Sequence, residues 1–119
     1  MPKNELRTTQ VTIGAGASLS GATIDLDTLG TPVAVITDAA WDTNAMTFQA
    51  SVDGTNFFNV YNEGTEYSLA GVVASAFNRI DQQVFFGAAK LKVRSGPAAA
   101  GVNQADATVV TLVTWHIDE

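Results

Sequence analysis

Polar and apolar positions alternate with a period of two through much of this chain. Met46, Phe48, Ala50 and Val52 interleave with Thr47, Gln49 and Ser51, a spacing that sends one set of side chains into a core and leaves the other on a polar face. Asp53-Gly54 follows, a pair that tolerates positive φ in a tight turn, and Thr55-Asn56 leaves room for a longer loop. Phe57 and Phe58 then point to opposite faces. One of them can join the same core, and the other is expected under a loop or at an interface.

The text "TIDLDTLGTPVAVIT" reads as a second strand pair, with Ile24 and Leu26 inward, Asp25 and Asp27 outward and Gly30-Thr31-Pro32 as the turn. No long stretch carries the 3.6-residue period of an amphipathic helix, whereas short Val/Ile/Thr/Phe runs recur between Gly, Asn, Asp and Pro. Strands are therefore predicted over 8–13, 23–29, 33–37, 46–52, 57–61, 66–69, 77–81, 90–94 and 108–117. Eight or nine short strands imply an all-β chain folded as a single antiparallel two-sheet sandwich, jelly-roll or galactose-binding-like. The sandwich is expected over residues 19–119, and residues 1–18 form either an arm reaching over a neighbour or an edge segment.

Some strands are apolar on both faces. In "ATVVTLVTW", Val109, Val113 and Trp115 share one face and Val110 and Leu112 the other; such a strand is central in its sheet or covered by another subunit. The small-residue segments 14–22 and 96–106 have little to bury and read as surface loops. In "SLAGVVASAF", Gly71 and the β-branched Val72-Val73 favour loop and strand over helix.

Composition narrows the function. With 119 residues the chain fits one domain with one real core, and without cysteine it has no disulfide scaffold, thiol nucleophile or thiolate metal site. "MPKNELRTTQ" lacks the apolar centre of a secretory signal and no run approaches a membrane span, so a protein made in the cytoplasm and independent of membranes is expected. Charged residues are 15% and hydrophobic ones 46% of the chain, which leaves few ionic groups to cover a small surface and implies an apolar or Ser/Thr/Asn-rich face for a partner. A net charge of −6 argues against nucleic acid, whose phosphates are met by clustered Lys and Arg.

Candidate chemistry is sparse. His116 is the only histidine, so a catalytic triad would have to be assembled around it; with no nucleophile-elbow pattern in the chain, a structural or exposed histidine is expected instead. Asp25/Asp27, Asp38/Asp42 and Asp53 lack the dense spacing of a calcium loop, and paired-carboxylate glycoside hydrolysis needs long cleft-forming loops. The expectation is a non-enzyme with no cofactor and no metal. Lys90, Lys92 and Arg94 alternate with Leu91 and Val93, placing three of the six basic residues in one stripe; a solvated, edge-protecting face competes with a docking stripe for an acidic partner. Trp41, Tyr61 and Tyr67 are candidates for a sugar-stacking platform, although a Trp just before a core strand more often plugs the end of a sandwich. Lys90, Lys92, Arg94, Trp41 and Phe58 are the candidate partner-binding residues.

The pattern Trp41, Phe48, Ser51, Asp53-Gly54, Phe57, followed by Leu91-Lys92-Val93-Arg94-Ser95-Gly96, resembles small β-sandwich virion proteins of tailed bacteriophages, of the capsid decoration, cement or head-spike type. The same strand-turn-strand text is similar to discoidin or galactose-binding sandwiches. The first resemblance implies a structural protein on the virion capsid surface, bound to the major capsid protein and forming a homo-oligomer, a trimer before other states. The second implies a carbohydrate-binding module of a head fibre or tail, with a glycan as partner.

Overall fold

The computed structural model describes residues 3–42 and 45–118. It contains ten strands: β1 (Lys3–Ile13), β2 (Ile24–Asp25), β3 (Thr31–Thr37), β4 (Met46–Ser51), β5 (Phe58–Asn59), β6 (Tyr61–Asn62), β7 (Thr65–Glu66), β8 (Phe77–Arg79), β9 (Lys90–Ser95) and β10 (Thr108–Asp118). Eight of them form two antiparallel four-stranded sheets, sheet A in the order β1-β10-β3-β8 and sheet B in the order β2-β9-β4-β5. The pairs β1·β10, β2·β9, β3·β8 and β4·β5 are nested, so the chain behaves as one long folded hairpin wrapped into two layers. That winding is a jelly roll.

Alternation builds the core between the layers. Val11 and Ile13 of β1, Val110 and Leu112 of β10 and Val35 of β3 meet Ile24, Leu91, Val93, Met46 and Phe48 of sheet B, all buried. Phe48 lies 5.1 Å from Phe85 edge-on and 6.0 Å from Tyr67, and Tyr67 lies 5.6 Å from Phe85. Burying such a ring stabilises by several kcal/mol, since its truncation in a core costs about 3–5 kcal/mol.

Several elements differ from the sequence expectation, each for a local reason. The expected strand 23–29 keeps only Ile24–Asp25, because the Asp25 carboxylate accepts from the Asp27 N–H at 3.0 Å and caps a single helical turn, α1 (Leu26–Leu29). The turn closes at Gly30, not at Thr31-Pro32. Gly30 has φ +103°, and a Cβ there would stand 2.3 Å from the Trp115 carbonyl oxygen. Pro32 is instead buried in β3 at a bulge beside Val113/Thr114, where its missing N–H costs the ladder nothing. Residues 3–13 form an edge strand of sheet A, paired along its full length with β10, so the sandwich begins before residue 19. The C-terminal strand expected over 108–117 is β10, and the strand expected over 8–13 extends back to Lys3, so both have 11 residues. Neither Phe57 nor Phe58 enters the core: Phe57 is half-buried and Phe58 is 68% exposed on β5, a two-residue strand at the edge of sheet B.

Candidate interaction surfaces

Lys90, Lys92 and Arg94 share the outer face of sheet B as the alternation requires, but each is held by its own chain. Lys90 Nζ lies 3.1 Å from the Asp25 carboxylate, and Lys92 Nζ stands 4.6 Å from the centroid of the Phe57 ring. Arg94 is buried. Its Nε donates to Thr47 Oγ1 at 2.9 Å, one terminal nitrogen to Asn59 Oδ1 at 3.0 Å and the other to Glu66 Oε2 at 3.1 Å. Glu66 also accepts from the Ala98 N–H at 3.1 Å, and Thr47 donates to the Gly96 carbonyl at 2.6 Å. One guanidinium thus fastens the small β6-β7 hairpin and the 96–98 loop over sheet B. That hairpin turns through Glu63 and Gly64, both at positive φ.

A second polar knot closes the opposite ends of three loops. Gln104 is fully buried; its amide donates to Ser95 Oγ at 2.8 Å while its carbonyl accepts from the Asp42 N–H at 2.9 Å and Thr108 Oγ1 at 3.2 Å. Its backbone bonds Gly16 and Ala17. Segment 96–106, expected to bury little, is therefore pinned by the amide side chain of Gln104. Asp38 accepts from Ala40 and Val109 N–H groups, and Asp42 from Ala105.

Trp41 is 3% exposed and belongs to the core. It cannot stack a sugar or touch a partner, which corrects its place among the surface candidates. Its Nε1 has no hydrogen-bond partner among the described residues. Tyr67 is half-buried against the core, its hydroxyl accepting from the Asp81 N–H at 2.9 Å, and burial pushes its phenol up from the ordinary range. His116 sits on β10 opposite Glu5. Among the described residues no three of His, Asp or Glu converge to hold a metal ion. Asp53 caps its own loop, accepting from the N–H groups of Thr55 and Asn56 at 2.8 Å; those bonds hold its carboxyl well below the usual range.

Two surfaces remain apolar. At the edge of sheet B, Phe58, Tyr61, Phe86 and Val52 are exposed around a cleft of about 220 Å³, with Ser51 and Asn59 as its polar members. The outer face of sheet A is larger. Leu6 and Trp115 lie side by side on β1 and β10, and Ile36 and Phe77 on β3 and β8; Leu6 and Phe77 are each 62% exposed. Between these pairs the row runs through exposed Thr8 and through Val113 and Ala34, which are buried, and among the described residues Arg79 is the only charge on the face. Past Phe77 and Arg79 the face runs into a shallow groove bounded by residues 80–83. Nothing in the sequence marked this face as a unit, because its members come from four strands whose pairing no local pattern reveals.

No protein-family model matches this chain, and no curated protein or solved structure matches it either.

Proposed function

We propose that this protein is a structural, assembly-forming jelly roll that binds a protein lattice through the outer face of sheet A. Its role is the one the resemblance implies: a decoration or cement protein on the outer surface of a tailed-phage capsid, contacting the major capsid protein as a homo-oligomer. The observation that supports this reading is the nearly uncharged sheet face carrying exposed Leu6, Trp115, Ile36 and Phe77 in a chain of net charge −6. Isolated exposed apolar residues are ordinary, but an aligned set on a rigid sheet is the surface a protein partner covers. A ligand that binds the assembled shell and not its dispersed subunits stabilises the shell by mass action. No enzymatic role is assigned: the buried polar side chains Arg94 and Gln104 are consumed in fastening loops.

A carbohydrate-binding role is the second reading, favoured by the cleft between Phe58, Tyr61 and Phe86. Aromatic faces beside a Ser and an Asn suit a pyranose ring.

Co-sedimentation with shells assembled from the major capsid protein of the same virus tests the first reading. Saturable binding is expected, weakened at least about tenfold when Ile36→Glu and Phe77→Glu are combined, equivalent to about 1.4 kcal/mol. Absence of binding, or binding indifferent to both changes, refutes it. Glycan binding abolished by Tyr61→Ala with Phe86→Ala, and no affinity for shells, transfers the function to the cleft.

A further inference from the structure

Each sheet ends in two edge strands, and three of these four edges are cut short. β2 and β5 have two residues each and β8 has three, whereas β1 runs for 11. Short edges, prolines, bulges and charges are the devices by which β-proteins keep their unpaired backbone from joining another chain. β1 contains no proline and its pairing with β10 runs without a bulge.

The direction of its free backbone groups follows from two bonds. The Thr12 carbonyl accepts from the Gly21 N–H at 3.3 Å, on the side away from β10, while the Thr114 hydroxyl of β10 reaches the Arg7 carbonyl at 3.3 Å. In an antiparallel ladder successive residues turn their N–H and C=O to alternate sides. The even-numbered residues therefore face the open edge, and among the described residues no backbone group bonds those of Leu6, Thr8 or Gln10 from outside the β1·β10 ladder. Their side chains are also the exposed ones, on the outer face of sheet A.

We propose that β1 pairs with β1 of a second copy, antiparallel about a two-fold axis at Thr8, so that two A sheets become one continuous eight-stranded sheet. The set Leu6, Thr8, Gln10 is symmetric about Thr8: Leu6 meets Gln10 of the second copy, Thr8 meets Thr8, and all six N–H and C=O groups of each copy are used. Shifting the axis to Arg7 would set the two Arg7 side chains directly opposite, which like charge disfavours. With the axis at Thr8, Arg7 faces Thr9 and Glu5 faces Val11 of the second copy, and no like charges meet. Glu5 and Arg7 are already paired with each other at 2.6 Å. Joining the edges also doubles the nearly uncharged outer face, whatever that face binds. The pairing stands on the strand edge alone and does not depend on the capsid reading.

The chain has no cysteine, so single replacements report geometry directly. Under mild oxidation Thr8→Cys is expected to give a covalent dimer of twice 12.5 kDa, while Thr12→Cys, which has no like residue opposite, is expected to form no disulfide-linked dimer. Sedimentation of the unmodified protein is expected to show a dimer. Thr8→Pro, which removes the two central bonds and leaves the β10 ladder intact, is expected to raise the dimer Kd by at least about tenfold, with the β-sheet circular dichroism spectrum retained. A monomer at about 100 µM, where even weak interfaces are populated, overturns the proposal. Cross-linking through Thr12→Cys as readily as through Thr8→Cys overturns it as well.

Discussion

Removing the guanidinium of Arg94 is the sharpest test of how this sheet is held together. Its side chain is 8% exposed and that of its partner Glu66 19%. Arg94→Ala deletes three hydrogen bonds, to Thr47, Asn59 and Glu66, and leaves a carboxylate with a single backbone donor, Ala98, in a nearly dry site. Breaking one side of a buried pair costs about 3–5 kcal/mol, because the remaining charge keeps its desolvation penalty. That is a large share of the 5–15 kcal/mol typical of a domain, and lowers Tm by roughly 12–20 °C at about 4 °C per kcal/mol. The neighbours on the same stripe should behave differently. Lys90→Ala removes a half-exposed ion pair worth about 0–1 kcal/mol. Lys92→Ala removes a cation–π contact worth about 0.5–1 kcal/mol. Arg94→Lys should recover only part of the loss, since an ammonium on a flexible stem cannot reproduce the planar fork that reaches three partners. Urea denaturation of the four variants gives the ranking, and a double-mutant cycle with Glu66→Gln should return a coupling above about 1 kcal/mol. Should Arg94→Ala cost no more than Lys92→Ala, the guanidinium is not engaged inside the fold and the basic stripe is free for a partner.

Two further perturbations probe other parts of the molecule. Trp41→Ala should cost about 3–5 kcal/mol from the cavity it opens, whereas Trp41→Phe, which removes the unpartnered Nε1 donor while keeping most of the ring, should cost under about 1.5 kcal/mol; both read out by chemical denaturation. Asp53 has a carboxyl held low by Asn56 and Thr55, so its contribution to stability is present above the unfolded-state value near 3.9 and fades as pH falls further toward the folded value. The stability gap between the parent protein and Asp53→Ala should therefore be constant from about pH 7 to 5 and shrink on acidification below about pH 4; a gap that widens in acid contradicts the assignment.

Much of the sandwich was legible because alternation is a local property. Met46 to Ser51 and Lys90 to Ser95 carry their inside and outside faces in the text, and both are strands. Which strand pairs with which is not local, so the nested jelly-roll order and the outer face of sheet A emerged only from the fold. No compact hydrophobic pattern precedes Val11, so the sequence predicts this strand only from Thr8; the earlier residues join it because β10 supplies the pairing and Glu5 and Arg7 form an ion pair. The segment Leu26–Leu29 alternates like a strand, but the preceding Asp25 caps a turn instead. Tyr61 to Thr65 is exposed and mostly polar, so the expected strands 57–61 and 66–69 did not reveal that Tyr61–Asn62 and Thr65–Glu66 pair as a small hairpin. Arg94 looked solvated from its spacing because the strand fixed only its face; what buries it is that hairpin, brought in from Glu66.

The most direct measurement is an electron-microscopy map of capsid shells incubated with the protein. The expected result is ordered density for the chain on the shell exterior, with sheet A turned inward so that Leu6, Ile36, Phe77 and Trp115 are covered by the major capsid protein. Density in which that face points to solvent, or shells that remain bare at saturating protein, would contradict the assembly role.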